Sequence, residues 1–459
     1  MPHEPLKVVV VGAGIAGLAA ALGFARAGHH VTLVERDAAS PPASSDATFL
    51  DWDRPGVPQR RLVHGFLPLA RKLLVAHLPD AVDRLVAAGA HHVDLLRPVI
   101  GRVPAPGDDE LFALRSRRVV FEWVLRRMAE EEPRVGVVAG DPVTGLLGSK
   151  DGVSGVRLRS GREIAAHLVV DAAGRRSAIG SWLRELGASE PEEDRHPCGL
   201  VYFSRFYEHR EDTLPVLGRA TLGYAVAAAI GADGRTFSIT FFARAEEHGL
   251  RRLHEDAAFE RAVGAIPVFA PWREGATPIG PVGAMGALEN TIRHFVAGGR
   301  VLVPGLIPIG DSLTHTNPTL ARGMSLGLDH AFTAASLPWT RGSLVDSALA
   351  YHARVDPMAE ASFADAVSVD DLSRRIYAGD ATAGDEPRAL LMRAAPLAAA
   401  GDQALFRANL RQQSLLQPPG SIGTEPWVTR ARALLATVPA EAYHGPDLQT
   451  MLRILDDGA

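Results

Sequence analysis

The sequence predicts a doubly wound α/β domain, interrupted by a β-rich domain and followed by a helical C-terminal region. Three observations carry that fold class. The segment "KVVVVGAGIAGLAAALGFARAGHHVTLVERD" reads as strand, glycine-rich turn, helix and strand. Two alternating runs, "GLVYFSRFYE" and "TFSITFFAR", lie well downstream and suggest an antiparallel sheet outside the first domain. From residue 344 onward the pattern is helical, broken at "ATAGDEP" and "QPPGSIGTEP".

Composition narrows the function classes. A chain of 459 residues is long enough for two or three domains and a large core. The net charge is -5 with both signs scattered, which argues against nucleic acid or an anionic membrane as the main partner. Lysine occurs only at Lys7, Lys72 and Lys150, so any anion site will use arginine forks. Cys198 is the single cysteine, which excludes an intrachain disulfide and a cysteine-based metal cluster. The opening "MPHEPLK" lacks a signal peptide's apolar stretch, and no apolar run reaches membrane-spanning length, so a cytoplasmic protein is expected.

The elements follow in order. The first strand is a β-branched run, as a parallel strand covered on both faces requires. Its helix carries Ile15, Leu18 and Leu22 at helical spacing. Residues 40–60 read as loop, 66–90 as helix, and 102–110 as a turn or hairpin. "RRVVFEWVLRRMAEE" from 117 reads as a helix with Val120, Trp123 and Val124 on its apolar face. Strands with tight turns fill 135–171. The proline- and glycine-rich stretch 267–286 reads as a return toward the segment that starts at 309. We expect no internal repeat.

Three motifs carry the chemistry. In Gly12-x-Gly14-x-x-Gly17 the first glycine permits the tight turn, and the second admits backbone close to a pyrophosphate. The third lets helix and strand pack closely, and Glu35 closes the second strand where it can accept from a ribose diol. Alone this motif does not separate NAD from FAD. In "LVVDAAGRRS" (168–177) a strand ends at Asp171 and small residues follow, which suits either a flat ligand or a plain turn. In "IGDSLTHTNPTLARGMS" (309–325) Asp311 ends a strand and can hold a sugar-like hydroxyl. The next helix carries Met324, Leu328, Phe332 and Ala335 on one face. Its N-terminus offers roughly half a positive charge, suited to the oxygen edge of a flavin. The alternative is an anionic cap on an ordinary helix.

Taken in this order over residues 6–345, the motifs resemble the FAD-containing monooxygenase superfamily with the para-hydroxybenzoate hydroxylase type of fold. "GVPQRRLVH" (56–64), the helix with Arg118, Phe121, Glu122, Trp123 and Arg126, and "GDSLTHTNPTLARGMS" are similar to the squalene and polyether epoxidase branch. The resemblance implies FAD contacts at Gly12, Gly14, Ile15, Ala16, Gly17, Glu35, Arg36, Arg61, Arg118, Ala173, Gly174, Asp311, Pro318, Ala321, Gly323 and Met324, with Val143 near the adenine. It implies segments 1–65, 111–185 and 284–343 as the FAD domain, 66–110 and 186–283 as the substrate domain, and 344–459 as the helical region. The sequence departs from the pattern at Leu320 and Ala321, where an aromatic residue and glycine are usual. Arg322 and His315 are therefore catalytic candidates, Arg322 to stabilise anionic reduced flavin or to bind an acidic substrate, against a solvated first-turn arginine and a satisfied loop histidine.

The expected function is FAD-dependent monooxygenation, by epoxidation or hydroxylation, of an apolar small molecule of secondary metabolism. NAD(P)H would be the transient reductant and O2 the co-substrate, through a flavin C4a-hydroperoxide. An external flavin reductase is an alternative electron source, and the protein is expected as monomer or homodimer. A dehydrogenase or reductase on the same fold, and a non-catalytic flavoprotein, are the alternatives. A flavin halogenase is disfavoured, since those enzymes use a lysine by the halide tunnel and a "WxWxIP" helix, and no such tryptophan motif occurs. Gly323-Met324-Ser325-Leu326-Gly327 matches the hydrolase elbow only formally, because Ser325 falls inside a helix. The adjacent pairs His29-His30 and His91-His92 do not share a face, so no metal site is expected. Phe203, Phe206, Tyr224, Phe241 and Phe242 are expected as substrate-domain core or as apolar wall above the flavin.

Overall fold

The computed structural model describes residues 4–212, 214–215, 218–437 and 444–457. Strand β1 (Lys7–Val11) is a run of four buried valines after an exposed lysine. A strand covered on both faces needs apolar side chains at every position rather than every second one. Helix α1 (Ile15–Arg26) follows and ends at Gly28, whose φ of 97° suits glycine just past a helix end. The chain then enters β2 (His30–Glu35), which pairs with β1 in parallel. Strands β3 (Val135–Ala139) and β4 (Leu168–Asp171) extend the same sheet on either side.

The second sheet is antiparallel. It contains β5 (Leu200–His209), β6 (Ala225–Gly231), β7 (Thr236–Arg244) and β8 (Ala276–Met285), with the short strand Arg219–Thr221 at one edge. Its order is Arg219–Thr221, β6, β7, β5, β8. The chain returns through β9 (Glu289–His294) to β10 (Leu306–Pro308), which completes the parallel sheet in the order β10-β4-β1-β2-β3.

Among the helices after α1 are α2 (Pro68–His77), α3 (Pro79–Ala87), α4 (Arg118–Glu131), α5 (Gly323–Ser336), α6 (Leu344–Tyr377) and α7 (Pro387–Gly401). The structure refines three expectations. The helical stretch 66–90 is two helices, because Leu78 leaves the helical region (φ -138°, ψ 62°) before Pro79. Proline's ring disfavours helical backbone in the residue before it. Residues 102–110, expected as a turn or hairpin, take the turn: the Asp108 amide donates to the Ala105 carbonyl at 3.2 Å, a one-turn helix spans Asp108–Glu110, and Phe112–Arg115 pairs with His91–Asp94. The proline- and glycine-rich return contains β8, an edge strand, where Pro278 and Pro281 are tolerated because one side of the strand has no ladder to break. Strand β6 was not expected either, since "AVAAAIG" lacks alternation.

Side-chain parity divides the antiparallel sheet into two faces. Phe203 opposes Phe241, and Tyr207 opposes Phe237; with Ile239 they pack on Phe259 and Trp272 in a core away from the parallel sheet. Tyr224 joins that core. The opposite face carries Tyr202, Ser204 and Phe206 against Phe242, Thr240 and Ser238. Phe206 packs with Phe49, Trp52 and Val119, while Tyr202 and Phe242 pack with Leu62 and Leu288. This face therefore closes over loops of the parallel-sheet unit.

Helices α1 and α5 touch through small residues. A Cβ on Gly327 would lie 3.2 Å from the Ala16 Cβ, and one on Gly310 would lie 3.1 Å from it. A Cβ on Gly23 would lie 2.8 Å from the Ala335 Cβ. Gly327→Val is expected to wedge these helices apart and cost about 1–3 kcal/mol, as overpacking does. Thermal and denaturant melts check this. Gly342→Ala is the control, since a Cβ there meets nothing within 4 Å.

Candidate cofactor site and active cleft

Two uncapped helix N-termini open onto one cleft. Gly14 is the N-cap of α1 and Arg322 that of α5, and neither supplies a side-chain cap. The first-turn amides of both helices thus lack an intrahelical acceptor. Gly12 has φ 102°, and a Cβ there would sit 2.5 Å from the Ala172 carbonyl oxygen. On Gly17 a Cβ would collide with the Gly12 oxygen at 1.9 Å. Above Gly14 the space is open: the only atom within 4 Å of a Cβ is the Arg118 Nη2, at 3.9 Å.

Arg118 spans the cleft. Its Nη1 donates to the Met324 sulfur at 3.4 Å, beside the start of α5. Its buried Nε lies 3.5 Å from Glu122 without a hydrogen bond. A cation left partly unsatisfied over uncapped amides is the donor set an anion needs.

Glu35 is a hub. One oxygen accepts from the Ala13 amide (2.9 Å) and Arg54 Nη2 (3.0 Å), and the other from the Asp37 amide (2.9 Å). A carboxylate offers about four lone-pair sites, so one remains for an outside donor such as a ribose hydroxyl. Arg54 is 2% exposed and sits among three carboxylates, Glu35, Asp37 and Glu122. Burial alone would lower its pKa; Glu122, Glu35 and Asp37 outweigh burial and hold the guanidinium charged, above its ordinary value.

The second and third motifs bind each other. Asp171 is fully buried and accepts from the Ser177 hydroxyl (2.6 Å) and the Ala173 amide (3.1 Å); burial pushes its pKa up against these donors. The Gly174 amide donates to the Ser312 hydroxyl at 2.9 Å, while Arg293 donates to the Ser312 carbonyl at 2.9 Å. "LVVDAAGRRS" is therefore a turn locked onto the "GDS" segment. Asp311, half-buried, accepts no hydrogen bond among the described residues, and its Oδ1 lies 3.8 Å from where a Gly323 Cβ would be. It is an acid left available at the N-terminus of α5.

His330 braces this segment from below. Its Nδ1 accepts from the Gly310 amide at 3.1 Å, and complete burial followed by nearby His352 pushes its pKa down to about 3. His64 behaves alike. Its Nδ1 donates to the Leu62 carbonyl at 2.9 Å, and burial and then Arg118 push it down to about 3, so it is neutral with Nε2 as an acceptor. The adjacent Gly65 reaches the third motif, with a Cβ position 3.0 Å from the Ala321 Cβ. Ala321 itself has φ 55°.

The remaining predicted residues have varied partners. Ile15 and Ala16 open α1 beside Gly14, and Gly323 and Met324 open α5. Pro318 starts a one-turn helix that Asn317 caps through the Thr319 amide. Arg36 donates to the Gly56 carbonyl at 2.6 Å, and Arg61 donates to the Phe49 and Leu50 carbonyls at 2.9 and 3.1 Å, so both tie down the 49–61 loop. Val143 begins a hairpin strand opposite Leu158. Arg322 is no solvated first-turn residue: it is 2% exposed and pairs with Asp365 of α6 at 2.6 Å. The His315 Nδ1 bonds the Glu289 carbonyl at 2.7 Å, the arrangement of a satisfied loop histidine. Sequence reasoning missed Arg54, His64 and Asp365; the first two flank or lie in the "GVPQRRLVH" stretch, which was the available signal.

Comparison with known proteins identifies this architecture. The family model described as FAD dependent oxidoreductase matches residues 7–140, which hold the Gly12–Gly17 turn, Glu35, Arg54 and Arg118. The chain is an FAD-dependent oxidoreductase. A second family model, tryptophan halogenase, matches residues 104–185. The flavoprotein is 28% identical to Protein Rv3254 of Mycobacterium tuberculosis over 345 residues, covering 69% of this chain and 70% of that one. Among solved structures it is similar in fold to PqsL, a probable FAD-dependent monooxygenase from Pseudomonas aeruginosa (TM-score 0.58, 15% identity, covering 82% of this chain and 99% of that one). The flavin-dependent brominase Bmp2 is also similar (TM-score 0.59, 17% identity, covering 95% and 99%). The fold of this flavoprotein is thus the para-hydroxybenzoate hydroxylase type.

Two outcomes follow for the flavoprotein. Arg54→Met should cost roughly 3–5 kcal/mol, because it leaves three buried carboxylates without their cation; denaturant unfolding of the apoprotein measures this. Stability should also fall as pH drops from about 6.5 toward 3. Over that window the unfolded chain takes protons that His64 and His330 refuse in the folded state. His330→Asn, whose Oδ1 can take over the bond from Gly310, should flatten the decline in a pH series of melts.

Proposed function

We propose that this flavoprotein is a monooxygenase. It would use NAD(P)H and O2 to epoxidise or hydroxylate an apolar small molecule in secondary metabolism. The observation that carries the reading is the uncharged sheet face over the cleft. Tyr202, Ser204, Phe206, Ser238, Thr240 and Phe242 form its centre. Burial pushes the Tyr202 phenol up to about 12, so it too is neutral. Such a wall suits an apolar substrate, and it offers no charged group to a substrate that needs none.

The FAD domain residues fit the cofactor. Gly12, Gly14, Ile15, Ala16 and Gly17 would hold the pyrophosphate with Arg118 above, and the spare lone pair of Glu35 would take the adenosine ribose. Asp311 would accept from the ribityl chain. The open N-terminus of α5 would place partial positive charge at the adjoining ring edge, where reduction puts negative charge. When bound, FAD supplies the electron acceptor and the site of oxygen activation. The chain's own residues bind, orient and exclude water. The Ser204 and Thr240 hydroxyls of this wall hydrogen-bond each other at 2.8 Å.

The tryptophan halogenase match and the brominase fold raise halogenation as a second reading. The lysines speak against it. Lys7 and Lys150 are exposed, and Lys72 is a surface residue paired with Glu110 at 2.7 Å. None faces the cleft. Among the described residues no helix is long and apolar enough to cross a membrane.

The test is anaerobic reduction with NADPH or NADH, followed by air. We expect bleaching of the flavin spectrum, then oxygen-dependent product from a panel of alkenes and electron-rich arenes. Oxygen-independent turnover would instead make the protein a dehydrogenase or reductase. Halide-dependent product would establish the halogenase reading.

A further inference from the structure

Helix α6 reaches the 309–325 segment at two points, of which the Arg322–Asp365 pair is one. At the loop's entry, Asp370 of α6 is 4% exposed. It accepts from the side-chain amides of Asn317 and of Asn290 of β9, the latter at 2.7 Å. The Asn317 amide donates to the Asn290 side chain at 2.7 Å, and the Asn317 Oδ1 accepts from the Thr319 amide and hydroxyl at 2.9 and 2.8 Å. Nearly every polar atom of Asn317 is thereby committed. At the exit, Asp365 accepts from Arg322 at 2.6 Å and from Arg388 of α7 at 2.9 Å. A second Arg388 contact reaches the other oxygen. Between the two fixed ends lie Pro318, Thr319, Leu320 and Ala321.

We propose that α6 is a clamp whose carboxylates Asp365 and Asp370 hold both ends of the flavin loop and so position the isoalloxazine end of FAD. The arrangement is poorly explained by stability alone. Two guanidinium groups, the buried Arg322 and the partly exposed Arg388, share one buried carboxylate, and their Nε atoms have no partner among the described residues. Buried ion pairs often contribute less to stability than apolar residues of the same volume, whereas losing one partner is costly. What such a pair does enforce is geometry. Here it fixes residues five apart on α6, about 7.5 Å along the axis, to the two ends of one short loop. Asp365 and Asp370 are thus positioning residues acting through Arg322 and Asn317.

The inference rests on FAD lying against this loop, and two ligands separate the two claims. ADP reports the Gly12–Glu35 end alone, and FAD reports both ends. In the full-length apoprotein, Asp365→Asn and Asp370→Asn should weaken FAD binding at least tenfold by calorimetry and leave ADP binding within twofold. Asp365→Asn should also shift the flavin reduction potential positive, because Arg322 and Arg388 lose their counter-charge, and Asp365→Glu should recover part of both effects. Unchanged FAD affinity and potential would overturn the proposal. So would an equal loss of FAD and ADP affinity with a lowered melting temperature, which marks general destabilisation. Should Asp365→Asn fail to fold, the double variant Arg322→Met/Asp365→Met removes both buried charges. It should show the same selective loss of FAD, and normal FAD binding there would overturn the clamp. If the parent protein binds ADP without FAD, the cofactor reading fails and this one with it.

Discussion

Everything in the site depends on how closely α1 and α5 approach. Gly310 and Gly327 meet Ala16 where a larger residue on any of the three would force the backbones apart. That contact sets the separation of two uncapped helix N-termini, and β10 enters the parallel sheet beside β4 at the same place. One end of a long ligand can then meet the first helix while the other meets the second. Arg118 bridges the same gap with a single side chain, from above Gly14 to the Met324 sulfur. The spacing is a packing result, made by hydrogen-sized side chains.

Much of the architecture was legible in the chain. The valine run of β1 and the spacing of Gly12, Gly14 and Gly17 act within a few residues, so local pattern identifies them. Glu35 was legible for the same reason. Arg54 was not, since its meaning depends on carboxylates at 35, 37 and 122 that only the fold gathers. Arg322 shows the limit most clearly. Its position in the third motif could be read, but its partner lies 43 residues on, in another helix. Strand β6 escaped because alanines carry little alternation, and β8 because prolines suggest a loop unless the strand is known to be an edge. The parity of the aromatic residues was readable in principle: odd-numbered Phe203 and Phe241 fall in the sheet's own core, even-numbered Phe206 and Phe242 on the face over the cleft.

Charge is distributed in a consistent way. Ionic clusters sit at the periphery of the site, around Arg54 at one end and Asp365 at the other. The sheet face between them is hydroxyl, aromatic and neutral. His64 and His330 fit that division, since burial keeps both uncharged and each spends a ring nitrogen on backbone. A buried charge fixes a position firmly and tolerates little change around it, so clusters of this kind belong where atoms must not move.

The two sheets also come from different stretches of chain, and this bears on how such a protein can vary. The residues proposed to hold FAD cluster in the first 130 positions and again after 310, whereas Phe206 and Phe242 belong to an excursion between them. Exchanging residues on the even-numbered face would alter what the cleft admits without touching a single contact among Gly12, Glu35, Arg54 and Asp311. The floor of the cleft and its roof come from separate stretches of chain. That separation makes the roof the natural place to retune this protein toward new molecules.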